Sequence, residues 1–263
     1  MSTGPVQLEH HDQVATVTLN RPDALNSLNT HTKEQLRSTI EEVAIDPDVR
    51  AVVLTGSGRA FCAGEDLREH AEGLQAGRGD LGRTVTEHYN PLILALTSMQ
   101  KPVIAAVNGV AAGAGASLAF ACDLRVLSQT ASFSMAFTQI ALAVDSGMSW
   151  HLPRLVGAAR ARELLMRPRK IEADEADHLG LATEIVPSDQ LLPRVHEIAA
   201  ELAAGPTLAY AAVREALLYS ATHDLPESLA NEAKLMSRTG ATADHRAAVE
   251  AFLAKETPRF EGR

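Results

Sequence analysis

The stretch KPVIAAVNGVAAGAGASLAFACDLR, residues 101–125, decides the fold. It opens on Lys-Pro, runs through five apolar residues (103–107), breaks at Asn108-Gly109, and passes Gly113-Ala114-Gly115 into the helix-compatible run 116–122. Asp123 and Arg125 end a span of more than twenty uncharged residues. The length would suit a membrane helix, but the span is built from Ala and Gly, with Asn108 in its middle. A dinucleotide fingerprint needs a third glycine and an acidic residue about twenty positions on; Leu118 and Phe133 stand near those places. The reading that fits is a buried strand turning on small residues into a helix. The first N–H groups of a helix lack intrahelical partners, so such a turn makes an anion or oxyanion site.

Outward from that stretch the chain reads as alternating strand and helix. VATVTL (14–19) alternates like a half-buried strand, and Asn20-Arg21-Pro22-Asp23 stops it. Leu36, Ile40 and Val43 recur at helical spacing, and Asp46-Pro47-Asp48 ends that helix. Residues 50–55 form a second strand, which predicts a crossover unit. GSGRAFCAGEDL (56–67) is a glycine-punctuated loop in which Phe61 is expected to be buried and Asp66 to cap the next helix. Residues 68–85 are polar and Gly-rich and read as a mobile surface segment, after which 89–99 restores helical spacing. Strands at 124–127 and 132–135 follow the central stretch. Beyond Gly157, six helices are expected at 159–166, 173–179, 191–204, 207–220, 226–237 and 245–255. The pattern predicts an α/β core over 1–200 and a helical assembly region over 201–263.

Bulk properties exclude several function classes. A chain of 263 residues can bury a sizeable core. The formal charge of -9 argues against a nucleic-acid partner, so a phosphate-bearing ligand must be held by a few local cations and backbone amides. Two cysteines, Cys62 and Cys122, cannot make a disulfide framework, and the N-terminal stretch lacks the apolar core of a signal peptide. A cytoplasmic protein without membrane attachment is expected. The ten histidines show no metal-ligand spacing, so no metal is expected.

Asp145 is the only acidic residue between Asp123 and Glu163. An isolated carboxylate in an apolar run is costly to bury unless it is paired or used. Asp145-Ser146-Gly147 before an apolar run is also a good helix N-cap, and the two roles are compatible. Ser117 in GAGASLA is not a nucleophile elbow. Cys62 would need a cationic neighbour to act as a thiolate, and Arg59 is the one at hand in sequence.

Taken in order, NRPDALNSL, FCAGEDL, KPVIAAVNGVAAGAGASLAFACD, LPRLVG and EADEADHLGLATEIVP resemble the enoyl-CoA hydratase/isomerase (crotonase) family over nearly the whole chain. YNPLI (89–93), the AVDSG loop and the terminal FLAKETPRF are most similar to its ring-1,2-epoxyphenylacetyl-CoA isomerases. The resemblance implies a crotonase-like spiral of ββα units, with C-terminal helices that pack trimers or hexamers. It implies an acyl-CoA thioester as substrate, with coenzyme A part of the substrate and no separate cofactor. The thioester oxygen would sit between the backbone N–H groups of Glu65 and Ala114, with Phe61, Ala63, Gly64 and Arg21 on the CoA side.

Two departures from the hydratase pattern matter. Where hydratases of the family carry paired glutamates, this chain matches with Ser117 and Phe137, neither of which can act as an acid or base. Asp145 falls where several isomerases of the family carry a catalytic aspartate. The dehalogenases of the family place a Trp at the position of Phe137, so its absence speaks against displacement chemistry. The expectation is an isomerase with Asp145 as its acid/base. The alternatives are a hydratase or hydrolase drawing a second acid from Glu65 or the 68–94 region, and a CoA-ester-binding protein in which Asp145 is only a cap.

Overall fold

The structure, a computed structural model, describes residues 4–77 and 81–263. Among these, strands β1 (Val6–His11) and β2 (Val14–Leu19) lead into helix α1 (Thr30–Ile45). Then come β3 (Ala51–Gly56), β4 (Ala60–Cys62), α2 (Leu67–Gln75), α3 (Leu81–Thr84), a π-helical turn (Val85–Tyr89) and α4 (Asn90–Ser98). The central stretch folds as β5 (Val103–Val107), β6 (Val110–Ala112) and α5 (Ala114–Ala121), followed by β7 (Leu124–Ser128) and β8 (Ser132–Ser134). The remainder is α6 (Met148–Val156), α7 (Ala158–Met166), β9 (Lys170–Glu172), α8 (Ala173–His178), β10 (Glu184–Val186), α9 (Leu191–Ala204), α10 (Thr207–Ser220), α11 (Leu225–Gly240) and α12 (Ala243–Ala254).

Successive turns of the chain feed two sheets. One has the order β1-β2-β3-β5-β7-β10 and the other β4-β6-β8-β9. β3, β5 and β7 run parallel in the first, and β4, β6 and β8 run parallel in the second, so each turn gives one strand to each sheet. This is the α/β spiral expected from the sequence.

Burial explains why β5 and the first four residues of β3 are apolar without a break. Side chains alternate across a strand, and here both faces are covered. Val52, Leu54, Val103, Ala105 and Val107 enter the main core. Val53, Ile104 and Ala106 face a second layer closed by Leu191, Val195 and Ala199 of α9. Lys101 ends the loop before β5 by donating to the carbonyl of Val43 at 2.6 Å and to that of Asp46, at the C-terminal end of α1. Arg214 of α10 ties the helical part to the core through Asp123 and the carbonyl of Leu96.

Some expectations need correction. The N-terminal stretch, to which no strand was assigned, contains β1, whose residues beyond Val6 are largely open to solvent and carry no alternation. The segment read as a mobile surface stretch is mostly helical: α2, α3 and the π turn occupy it, apart from 78–80, which lie outside the described residues. Asp66 caps α2 as expected, accepting from the Arg68 and Glu69 N–H groups at 3.2 and 3.5 Å. The helix after the glycine turn starts at Ala114, two residues earlier than its sequence pattern suggested, and the fifth sequence strand ends at Ser134.

No helix among the described residues is long and apolar enough to cross a membrane. The apolar span 101–125 is short strands and one eight-residue helix buried in the core.

Candidate active site

Two loops from successive spiral turns meet behind one cavity. The first follows β4: Ala63, Gly64 and Glu65 leave the sheet, with Gly64 at φ +88, a left-handed conformation that glycine adopts without strain. The loop is pinned by Leu28, whose N–H donates to the Gly64 carbonyl at 2.7 Å and whose carbonyl accepts from Asp66 N–H at 3.2 Å. Arg21 Nη2 lies 2.8 Å from Asp66 Oδ2. Burial pushes the Asp66 carboxyl up, but the bonds from Arg21 and from the helix N–H groups outweigh it and hold it below the usual range.

The second loop follows β6. Gly113, at φ +50, turns the chain into α5, every residue of which is buried. Small residues are required because the loops touch. A β-carbon on Gly64 would lie 2.7 Å from the Ala112 carbonyl oxygen and 3.3 Å from the Ala114 nitrogen. As the first residue of its helix, Ala114 has an N–H without an intrahelical acceptor.

Ala63, Gly64, Glu65, Ala114, Phe137 and Asp145 all line one cavity of about 600 Å³, whose other walls are mainly apolar side chains such as Leu67, Val85 and Leu142. The structure does not bring Phe61 or Arg21 to that wall. Phe61 is fully buried in the core, and Arg21 is engaged by Asp66 and the Ser27 carbonyl. A larger surface cleft of about 850 Å³, bordered by His10, His11 and His196, lies away from both loops. No group of three or more metal-capable side chains occurs among the described residues.

The structure separates two roles that the sequence left joined in Asp145. Its carboxylate caps no helix. α6 begins after Gly147, which makes no side-chain cap bond, and the Asp145 Oδ1 accepts instead from the Ser146 hydroxyl at 2.7 Å. Burial raises the Asp145 carboxyl above its ordinary value; the Ser146 bond lowers it, the charge of Glu65 raises it and Lys33 lowers it. Ser117 is fully buried with its hydroxyl on the Gly113 carbonyl at 3.3 Å, and Phe137 is a wall of the cavity. Cys62 is buried behind the first loop, and burial pushes its thiol up to about 12, so it carries no thiolate at neutral pH.

Sequence reasoning missed Lys33 and Tyr89. Lys33 Nζ donates to both Glu65 carboxylate oxygens, at 2.9 and 3.1 Å, and the Tyr89 hydroxyl donates to Glu65 Oε2. Both donors are almost wholly buried, Lys33 at 2% exposure and Tyr89 at 1%. Lys33 did leave a signal: it stands in line with Leu36, Ile40 and Val43, on the apolar stripe of α1 where a lysine is out of place. Tyr89 owes its position to the π turn. Pro91 has no N–H to offer the carbonyl four residues back and its ring crowds that carbonyl. The helix widens just before it, and Asn90 N–H reaches the Val85 carbonyl five residues back.

A family model described as enoyl-CoA hydratase/isomerase matches residues 9–263. The chain is 44% identical over 264 residues to a protein of Rhodobacter capsulatus named probable enoyl-CoA hydratase, covering 100% of both chains. It is 40% identical over 250 residues to the 1,2-epoxyphenylacetyl-CoA isomerase of Escherichia coli K12, covering 95% of each. A crystal structure from Mycobacterium abscessus, provisionally described as an enoyl-CoA hydratase/isomerase, superposes with a TM-score of 0.94 at 42% identity, over 98% of this chain and 100% of that one.

Proposed function

The chain belongs to the enoyl-CoA hydratase/isomerase family, and from that premise we propose that it is an acyl-CoA isomerase with Asp145 as its acid/base. One observation carries the reading. Asp145 is a half-buried carboxylate on the cavity that Glu65 and Ala114 also line, and it is occupied by no helix end.

The chemistry follows from the arrangement. Asp145 takes a proton from a carbon activated by the thioester, and the electron pair moves onto the thioester oxygen as an enolate. The Glu65 and Ala114 N–H groups are the donors proposed to stabilise that oxygen. Asp145 then returns the proton to a different carbon, shifting a double bond, or assists the opening of an epoxide. No water is added, so a second acid is unnecessary. An upward-shifted carboxyl suits the task, because a general base works best when it titrates near the working pH.

The CoA portion is expected to leave the cavity past the backbone of residues 61–64, with Arg21, which holds Asp66 beside that loop, proposed for phosphate. The helices from 201 onward are proposed as the assembly region.

A hydratase reading has one observation in its favour, since Glu65 is a second carboxylate on the same cavity. Incubating the purified protein with 2-enoyl-, 3-enoyl- and epoxyphenylacetyl-CoA esters, and separating isomers, hydrates and free CoA, decides between the two. Isomers lost in Asp145→Asn are expected; hydrates formed equally well by that variant would end the one-carboxylate reading.

A further inference from the structure

Two carboxylates share the cavity, and their surroundings differ in kind. The Asp145 side chain accepts one hydrogen bond from a described residue, the Ser146 hydroxyl. Glu65 accepts from Lys33 at both oxygens and from Tyr89 at one. Those donors come from α1 and from the π turn, 32 and 24 residues away in sequence. The Lys33 ammonium also lies 5.3 Å from the centre of the Tyr89 ring, so the three groups form one packed cluster.

Such a cluster is expensive to build. An ammonium and a phenol removed from water cost free energy unless they are well paired. Neither donor is needed to hold the loop backbone, which the Leu28 bridge already fixes on both sides of Glu65. A carboxylate gripped by a cation and a hydroxyl is also held in one place on the wall. It is not free to swing toward substrate. What remains is its charge, held still on the cavity wall.

We infer that Glu65 is a positioning residue for Asp145: pinned by Lys33 and Tyr89, it is a fixed negative charge on the shared cavity that holds the abstracted proton on Asp145 until it is returned. This rests on the reading of Asp145 as the acid/base. The groups that act on Asp145 are Glu65 from the first loop, Lys33 from α1 and Tyr89 from the π turn, and His70 of α2 lines the same cavity. His151 of α6 lies close by against Gly147; burial drives it down to about 4, so it is neutral at working pH. Glu65 is thus the negative neighbour and Lys33 the positive one, and the two act on Asp145 with opposite sign. The phenol of Tyr89, raised by burial and then by Glu65, stays protonated as the donor.

The opposite signs make the test specific. Protein carrying ¹³C-carboxyl aspartate is titrated by NMR as wild type, Glu65→Gln and Lys33→Met, with Asp145 identified by the resonance missing in Asp145→Asn. The Asp145 midpoint should fall in Glu65→Gln and rise in Lys33→Met, each by about half a pH unit or more. The acid limb of kcat/KM with a 3-enoyl-CoA ester should follow with the same signs. A midpoint unmoved or raised in Glu65→Gln overturns the inference, and that variant decides alone if Lys33→Met does not fold. Turnover of the same ester by Asp145→Asn separates the two failures. If that variant keeps full activity, the acid/base reading falls and this inference with it. If it is inactive while Glu65→Gln leaves the midpoint in place, only the role of Glu65 is lost.

Discussion

A β-carbon built on Gly115 would lie 2.1 Å from the carbonyl oxygen of Cys62. The first turn of α5 therefore rests directly on the backbone at the end of β4, and that contact sets the spacing between the loops carrying Glu65 and Ala114. The obstacle is backbone in the core, not a flexible side chain that could turn aside.

Gly115→Ala should consequently cost about 3 kcal/mol or more, at or above the usual range for overpacking. Urea unfolding read by far-UV circular dichroism measures it. Activity should fall further than stability explains, because any relief of the clash moves the two N–H groups apart. A variant of wild-type stability and turnover would show that the loops do not depend on this contact.

Asp145→Asn should lower isomerisation about a hundredfold or more while the variant still folds and binds CoA esters. It should also be more stable than wild type at neutral pH. The folded state raises this carboxyl above its unfolded value, so the folded protein binds more protons in that window. Stability then falls as pH rises from the unfolded value toward the folded one. The neutral amide escapes that loss, and its advantage should vanish below about pH 4. Thermal melts of both proteins across acid and neutral pH check the sign. Ser117→Ala and Phe137→Leu should leave proton transfer largely intact, because neither side chain is a working acid.

Neither cysteine should react in the native protein. Cys62 and Cys122 are both buried and both pushed by burial up to about 12, which removes the thiolate as well as access to it. Iodoacetamide at mildly alkaline pH should give no adduct by mass spectrometry until denaturant is added. Rapid native labelling of Cys62 would reopen it as a nucleophile.

The C-terminal helices leave large apolar side chains in solvent: Leu217 at 68%, Met236 at 73%, Phe252 at 81% and Leu253 at 76% exposure. Exposed apolar surface of this extent is what the proposed association face would present. Light scattering at micromolar concentration should give three or six times the 28.0 kDa chain mass. A monomer would contradict the proposed assembly region.

The sequence by itself determined the alternation of strand and helix, its resemblance to a known family implied the spiral, and its motifs named the candidate site residues. β2, β3, β5 and β7 were legible because burial on one or both faces forces alternation or unbroken apolar runs. α9 and α10 were legible to the residue because Gly205-Pro206 punctuates two clear helical periods. Glu65, Ala114 and Asp145 were named from motif order and from one carboxylate standing alone in an apolar run, and the structure puts all three on one cavity. β8 was read one residue too long, whereas β4, β6, β9 and β10 are three residues each, too short for any period to show. α2 went unread because its larger apolar residues, Leu67 and Leu74, stay half exposed among charges. Only the tertiary structure decided that Asp145 caps nothing, since a cap sequence fixes neither the direction of a side chain nor where the helix starts. The convergence of Lys33 and Tyr89 on Glu65 was equally beyond local reading. Periodicity reports which face of an element is buried, whereas a hydrogen bond between residues decades apart depends on how whole elements pack.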